Sequence, residues 1–387
     1  MTVNGFCATS SPMRIAILGA GPAGLYLAYL VKRRRPDADV TLIEQNPADA
    51  TFGFGVVFSD RALEFLRDDD PEAFAAIAPQ MEQWNDITLV HRNERMTIDG
   101  IGFAAIGRLK LLQLLQARVH SVGIEPQFGR TVTSLDGIAD ADLVVGADGV
   151  NSLVRNTFAD QFGASVTFLA NRFAWFGTAK VFDTLTQTFR HTPIGNFTAH
   201  HYRYAPGRST FIVEVDEATF AGAGFERMED SESRGICQKV FADALDGRPL
   251  ISNNSVWRRF PQVWNRRWHH GKYVLIGDAL RTAHFSIGSG TRLAMEDAIA
   301  LDRALAEHGD DVAAALPAFV VARRPIVEKI VSGATASAVW YERFAEHMQL
   351  SPADFAMSYI MRSGRIDIER LRKLSPRFVE RYEREKN

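Results

Sequence analysis

MRIAILGAGPAGLYLAYLVKRRRPDADVTLIE, residues 13–44, decides the fold. Met13 to Leu18 is an apolar run of strand length, Gly19 to Gly24 break it, and Leu25 to Arg34 continue with helical spacing. Val40 to Ile43 forms a second short strand ending at Glu44, so the stretch reads as a βαβ unit. Gly19, Gly21 and Gly24 stand as G-x-G-x-x-G between the first strand and the helix. One glycine makes the tight turn, one lets the backbone approach a pyrophosphate, and one lets helix and strand pack closely. The helix N-terminus then holds the negative charge. Glu44 lies at the right distance to bond a ribose hydroxyl. Strand, helix and acid together point to a bound dinucleotide.

Working outward, a glycine-broken loop (Phe52 to Phe58) leads to charged helical residues from Asp60 to Leu66. Ile87–Val90 and Arg95–Ile98 flank the turn-like His91–Glu94 and read as a hairpin. Arg108 to His120, with Leu109, Leu112 and Leu115, is an amphipathic helix. Leu143–Gly146 is a buried strand ending in AlaAspGly. Val166 to Val215 alternates and is rich in Phe, Thr, Val and Tyr, which predicts antiparallel sheet. Tyr273–Ile276 is another buried strand. From Thr291 the pattern is helical almost to Leu350, with breaks expected near Pro317 and Pro325. Ser351 and Pro352 read as a helix cap and first helical residue, and the charged C-terminal stretch as helix.

The expected fold class is α/β, a Rossmann-like parallel cofactor-binding sheet interleaved with an antiparallel-sheet substrate domain, with a helical C-terminus. Segments 13–78, 101–164 and 263–335 make the first part, 79–100 and 165–262 the second, and 336–387 the C-terminal helices. Residues 1–12, small and polar, read as a disordered tail rather than a signal peptide, having no basic n-region and no apolar h-region.

A chain of 387 residues is ample for two packed layers around a buried cofactor. Its net charge of −2 gives no reason to expect nucleic acid or a membrane surface as partner. The two cysteines, Cys7 and Cys237, make no disulfide framework, metal-ligand spacing or redox pair. They point to a reducing, cytoplasmic compartment and to no bound metal. No apolar run reaches the roughly 18 residues a membrane span needs. Monomer and homodimer both remain open.

AlaAspGly (147–149) continues as ValAsnSerLeuValArg to Arg155, and GlyAspAla (277–279) precedes a glycine-rich turn that opens a long helix. Alone, each is an ordinary strand-end turn. In this order behind the glycine motif they resemble, over most of the chain, the flavoprotein aromatic hydroxylases of the para-hydroxybenzoate hydroxylase type. The resemblance implies non-covalent FAD, NADH or NADPH as reductant, molecular oxygen, and a C4a-hydroperoxyflavin as oxidant. It implies that Gly19, Gly21, Gly24 and Glu44 hold the ADP part and that Asp148 supports the fold near the pyrophosphate. It further implies that Asp278 bonds the ribityl chain and that Arg108 reaches the FAD. Gly288, Ser289, Gly290 and Thr291 open a helix whose positive end would face a flavin ring there and favour its anionic reduced form.

GlyPheGlyValValPheSerAsp (53–60), AlaHisHisTyrArgTyr (199–204), SerThrPheIleValGlu (209–214) and HisPheSerIleGlySerGlyThr (284–291) narrow the likeness. They are similar to the salicylyl-CoA 5-hydroxylase and 2-aminobenzoyl-CoA monooxygenase group. They resemble a little less closely the tryptophan-derivative hydroxylases of violacein biosynthesis. ArgSerGlyArgIle (362–366) leans toward the first group. Two departures from the wider family stand out: no proline lies between Asp278 and Gly290, and no arginine between Glu44 and Ser59.

The implied reaction is hydroxylation of an electron-rich ring, carried by an aromatic small molecule or acyl-CoA; the alternative is a free indole, tryptophan-derived or phenolic natural-product intermediate. A side chain drawing a proton from the ring's hydroxyl or amine would help. Candidates are His284, and His200 with Tyr202, which share a strand face by their i, i+2 spacing. A histidine in a strand is more often a packed or surface residue than a catalyst, and His284 is the better candidate because its loop follows Asp278. Trp257 to His270 carries Arg258, Arg259, Arg266 and Arg267, which suit either the phosphates of a CoA thioester or a solvated basic loop. Phe52, Phe54, Phe58, Trp175 and Phe176 are either an aromatic pocket wall or ordinary core. The lack of a redox cysteine pair and of a second GxGxxG argues against a flavin disulfide reductase.

Overall fold

Three sheets organise the residues that this computed structural model describes, 12–59 and 64–386. The tail expected over 1–12 lies outside them apart from Pro12, as do Asp60 and the three residues after it; the helix expected there is Glu64–Asp69.

The first sheet runs His269–His270, Tyr273–Leu275, Leu143–Gly146, Arg14–Leu18, Asp39–Glu44, Gln127–Phe128. Every pairing is parallel except the first. Arg14–Leu18 has a partner on each edge and a helix on its face, which is why Ile15 to Leu18 are all apolar and buried. Helix Pro22–Arg34 follows it, beginning three residues before Leu25 because Pro22 suits the first helical position.

The second sheet is ordered Leu250–Ile251, Ala164–Thr178, Arg208–Val215, Gly195–Ala205, Leu185–Thr192, Ile87–His91, Glu94–Ile98. Arg258–Asn265 also pairs with Ala164–Thr178, so most of the expected basic loop is strand. The sheet has one parallel seam, where Leu185–Thr192 meets Ile87–His91. Arg92 and Asn93 adopt φ of 51° and 64°, as a two-residue hairpin turn requires. A small third sheet joins Gly55–Ser59, Phe103–Gly107 and Glu82–Trp84.

One face of the second sheet buries Phe197, Phe211 and Val213 beneath the helices between Glu217 and Leu245. The other lies under the C-terminal helices, with Leu89, Phe189 and Tyr202 against Trp340, Tyr341 and Phe355.

The expected breaks at Pro317 and Pro325 do not occur: Val312–Glu342 is one helix, and the interruption falls earlier, before Asp311. Both prolines, and the residues four before them (Ala313 and Val321), are exposed. The carbonyls that lose a donor therefore lie on the solvent side, while Leu316, Phe319 and Val327 are buried on the other. Ser351 Oγ accepts from Asp354 N–H at 3.2 Å and caps helix Pro352–Met361. Helices Ile368–Leu374 and Pro376–Lys386 follow, and Phe378 N–H donates to Asp99 Oδ1 at 2.9 Å. No helix of the described residues is long and apolar enough to cross a membrane.

Candidate active site

The glycine turn divides its three tasks visibly. Gly19 has φ of +97°, and a Cβ there would stand 2.3 Å from the carbonyl oxygen of Ala147. A Cβ on Gly24 would stand 1.9 Å from the carbonyl oxygen of Gly19. At Gly21, by contrast, a Cβ meets nothing within 4 Å among the described residues, so this backbone is open beside the helix N-terminus. Glu44 braces the turn: Oε2 accepts from Ala20 N–H at 2.9 Å, and Oε1 from Asn46 N–H at 2.9 Å and Nδ2 at 2.7 Å.

Asp148 Oδ2 accepts from Leu153 N–H at 2.7 Å, and burial raises its carboxyl against that bond. Arg155 ties this loop to the next motif, donating to Ala279 O at 3.3 Å and to Val150 O. Asp278 is solvent-accessible on one side yet walled by protein. Burial pushes its carboxyl up, while the Arg281 and Arg108 guanidiniums pull it down.

A buried ionic network, which the sequence reading missed, holds the Gly277–Ala279 turn. Asp297 Oδ2 accepts from Gly277 N–H at 3.0 Å and from Arg281 Nη2 at 2.7 Å; Oδ1 accepts from Arg323 Nε at 3.0 Å. Arg323 also meets Glu296 Oε2 at 2.7 Å. The signal available in sequence was an acid inside the apolar stripe of helix Gly290–Glu307, among Leu293, Ala294, Ala298 and Leu301.

These residues fit a flavin dinucleotide. Gly21 is open, and Asp148 Oδ1 and Arg108 Nε are buried with no partner among the described residues. Helix Gly290–Glu307 starts one residue before Thr291. Its preceding Ser289 makes no cap, turning its hydroxyl back to Ile287 O at 3.3 Å, so the first-turn N–H groups stay free for an anion. Gly288, at φ +60°, brings this loop against Val57.

Beside the loop lies the second sheet's face carrying His200, Tyr202, Ile212 and Glu214. His200 is buried, neither ring nitrogen has a partner among the described residues, and its ring is 5.4 Å from that of Tyr202. Tyr202 donates its hydroxyl to Gly55 O at 2.8 Å, which commits it to joining two sheets. Burial, with the charge of Arg362, pushes both His200 and His284 down to about 3, so both rings are neutral at physiological pH. Burial pushes Glu214 up to about 8, opposed by its bond from Asn171 Nδ2 at 2.8 Å. Glu214 Oε2 and the Tyr341 hydroxyl are likewise buried without partners among the described residues. Sequence reading missed both; a lone acid on the buried face of the quoted SerThrPheIleValGlu strand was the available sign.

His284 lines a cavity of about 240 Å³ with Phe260, Thr282, Thr335 and Ala338. Its ring centroid is 4.8 Å from Phe260, 4.3 Å from Phe285 and 5.8 Å from Tyr341. A second cavity, of about 400 Å³, shares Ser165 and Trp264 with the first and extends to Arg266. The other expected basic contacts disperse. Arg259 donates to Leu169 O at 2.6 Å, Arg267 to Gln161 O at 2.8 Å, and Trp268 is core, its ring 5.7 Å from Phe319. The five aromatics do not form one wall: Phe58 and Phe176 belong to different cores, and Phe52 is 46% exposed.

Residues 13–334 match a family described as FAD binding domain. Salicyloyl-CoA 5-hydroxylase of Streptomyces sp is 42% identical over 361 residues, 91% of this chain and 70% of that one. The 3-hydroxy-4-methyl-anthranilyl-[aryl-carrier protein] 5-monooxygenase of Streptosporangium sibiricum is 36% identical, covering 86% of this chain and 90% of its own. In fold, the chain is similar to a 2-methyl-3-hydroxypyridine-5-carboxylic acid oxygenase, with a TM-score of 0.71 at 18% identity over 95% of this chain and 96% of that one.

Proposed function

We propose, because the chain belongs to the FAD binding domain family of flavin-dependent aromatic hydroxylases, that it hydroxylates the activated ring of an aromatic acyl-CoA of the salicylyl-CoA or 2-aminobenzoyl-CoA type. The observation that carries the thioester reading is the pair of neighbouring cavities, one lined by His284 and the other by Arg266, with Ser165 and Trp264 in the lining of both. The first suits a ring, the second a pantetheine arm, and Arg266 a phosphate. The carrier-protein-dependent relative, whose named substrate is also an acyl group on a carrier, favours the same reading.

Bound FAD, reduced by NADH or NADPH, supplies the oxygen activation. In the proposal Gly19, Gly21, Gly24 and Glu44 hold its ADP half, and Arg108, Asp148 and Asp278 its pyrophosphate and ribityl chain. Gly288, Ser289, Gly290 and Thr291 present uncapped N–H groups to its ring. His200, Tyr202 and His284 border the substrate, and Glu214, held protonated by burial near neutral pH, offers a proton to an oxygen or amine placed there. The division into a cofactor part and a substrate part, and a cytoplasmic setting, belong to this proposal too.

Two measurements test it. Asp278→Ala is expected to weaken FAD retention by roughly tenfold to a hundredfold, the worth of a charge-assisted hydrogen bond, and His284→Ala much less. FAD dissociation constants decide this; equal losses argue that both residues only support the fold. Arg266→Ala is expected to raise KM for salicylyl-CoA about tenfold with kcat nearly unchanged, less so at high salt, and to leave free salicylate unaffected. If both substrates respond alike, Arg266 does not read CoA. If thioesters are not turned over, the free natural-product alternative replaces the acyl-CoA assignment.

A further inference from the structure

The C-terminal ArgSerGlyArgIle stretch brings Arg362 into the site, where its donors meet neutral acceptors. Nε donates to Ser337 Oγ at 2.9 Å, Nη1 to Tyr359 O at 2.7 Å and Nη2 to Ser286 O at 2.8 Å. The guanidinium also lies over the Tyr359 ring, 3.8 Å from its centroid. Beyond Ser337 the bonds continue: its Oγ is 2.7 Å from Ser286 Oγ, which is 2.8 Å from His284 Nδ1. Ser286, Ser337 and His284 are all buried.

A guanidinium can only donate, whereas a hydroxyl donates once and accepts. Ser337 Oγ therefore accepts from Arg362, and its own proton needs another acceptor. Among the described residues, the acceptor it reaches is Ser286 Oγ. Ser286, having accepted that proton, passes its own to His284 Nδ1. The opposite direction would leave the buried Ser337 hydroxyl proton unpaired. With Nδ1 accepting, the proton of a neutral ring sits on Nε2.

We infer that Arg362 is a positioning residue which, through Ser337 and Ser286, fixes His284 as the Nε2–H tautomer, so that His284 donates a hydrogen bond to an acceptor oxygen of the substrate instead of taking a proton from it. The oxygen would be a thioester carbonyl or a phenolate, and this part rests on the cavities being the substrate path. The role differs from the proton acceptor that the sequence led us to expect. It agrees with a ring that burial and Arg362 keep neutral.

Long-range 1H–15N NMR spectra of histidine-labelled, FAD-loaded protein read the tautomer without turnover. The His284 signal is assigned by its loss in His284→Gln, or in His284→Asn if the first variant does not fold. The wild type is expected to show the Nε2–H pattern, Arg362→Ala to shift His284 toward Nδ1–H, and Arg362→Lys, which again only donates, to restore it. An Nδ1–H pattern in the wild type overturns the inference, and an unchanged spectrum in Arg362→Ala removes Arg362 from it. In turnover, His284→Gln keeps an amide N–H near the Nε2 position and should raise KM less than His284→Asn, by about tenfold between the two. An Nε2–H pattern with no thioester turnover would keep this assignment and defeat only the acyl-CoA reading.

Discussion

Asp297→Ala is expected to cost about 3–5 kcal/mol of folding stability, the penalty for leaving buried charge without its counter-ion. Arg281 loses its paired carboxylate, Arg323 is left with Glu296 alone, and the Gly277 N–H loses its acceptor. Because Gly277 opens the turn that carries Asp278, FAD retention should fall with stability. Asp297→Asn keeps the shape and one acceptor and should fall between the two. Denaturant midpoints of the FAD-loaded proteins test this; an alanine variant within about 1 kcal/mol of wild type would show that the network is dispensable.

Gly24→Ala and Gly21→Ala should part company. The methyl at position 24 would overlap the Gly19 carbonyl at 1.9 Å, a backbone atom that cannot yield without opening the turn. That variant is expected to be insoluble or severely destabilised, by several kcal/mol as for an overpacked core or more. At position 21 the methyl meets no atom of the described residues within 4 Å. Gly21→Ala should therefore fold as well as the FAD-free wild type while losing FAD, because the methyl enters the space through which a pyrophosphate must approach. The ratio of flavin to protein absorbance after gel filtration, alongside melting of both FAD-free proteins, separates the cases. Full flavin content in Gly21→Ala would mean that the turn does not cradle the pyrophosphate.

How much of this was legible in the sequence follows from the range of the interactions. The βαβ unit, the Ile87–Ile98 hairpin and helix Arg108–Ser121 each announce themselves within a continuous stretch of about 30 residues or fewer, by apolar period and turn chemistry. The helix through Pro317 and Pro325 did not, because what permits it is which side faces water, a property of packing. Strand Arg258–Asn265 was hidden by its charges, since it pairs along one edge and leaves Arg258 and Arg259 exposed. The proposed substrate face was the least legible. His200 and Glu214 come from the sheet, His284 from the loop after the flavin-side turn, and Tyr341 and Arg362 from the C-terminal helices. Their unpaired atoms and their tautomers exist only once those segments meet. The motif glycines, by contrast, carry their reason in their own backbone.

The docking of the last helices onto an early hairpin sets an order on biosynthesis. Met96 and Ile98 are covered by a cluster that includes Phe355, Leu371 and Phe378, and the Asp99 to Phe378 bond joins positions 279 apart. While the nascent chain is still emerging, this face of the sheet has no cover, a state in which strands invite aggregation. The core around the cofactor turn reaches only to Ile330, with Val331 packed against it. In the proposed division, the part that holds the flavin can thus be complete on the ribosome before the part that faces the substrate. A nascent chain able to hold its cofactor would wait, already coloured, for residues 336–386 to enclose the proposed place of the ring.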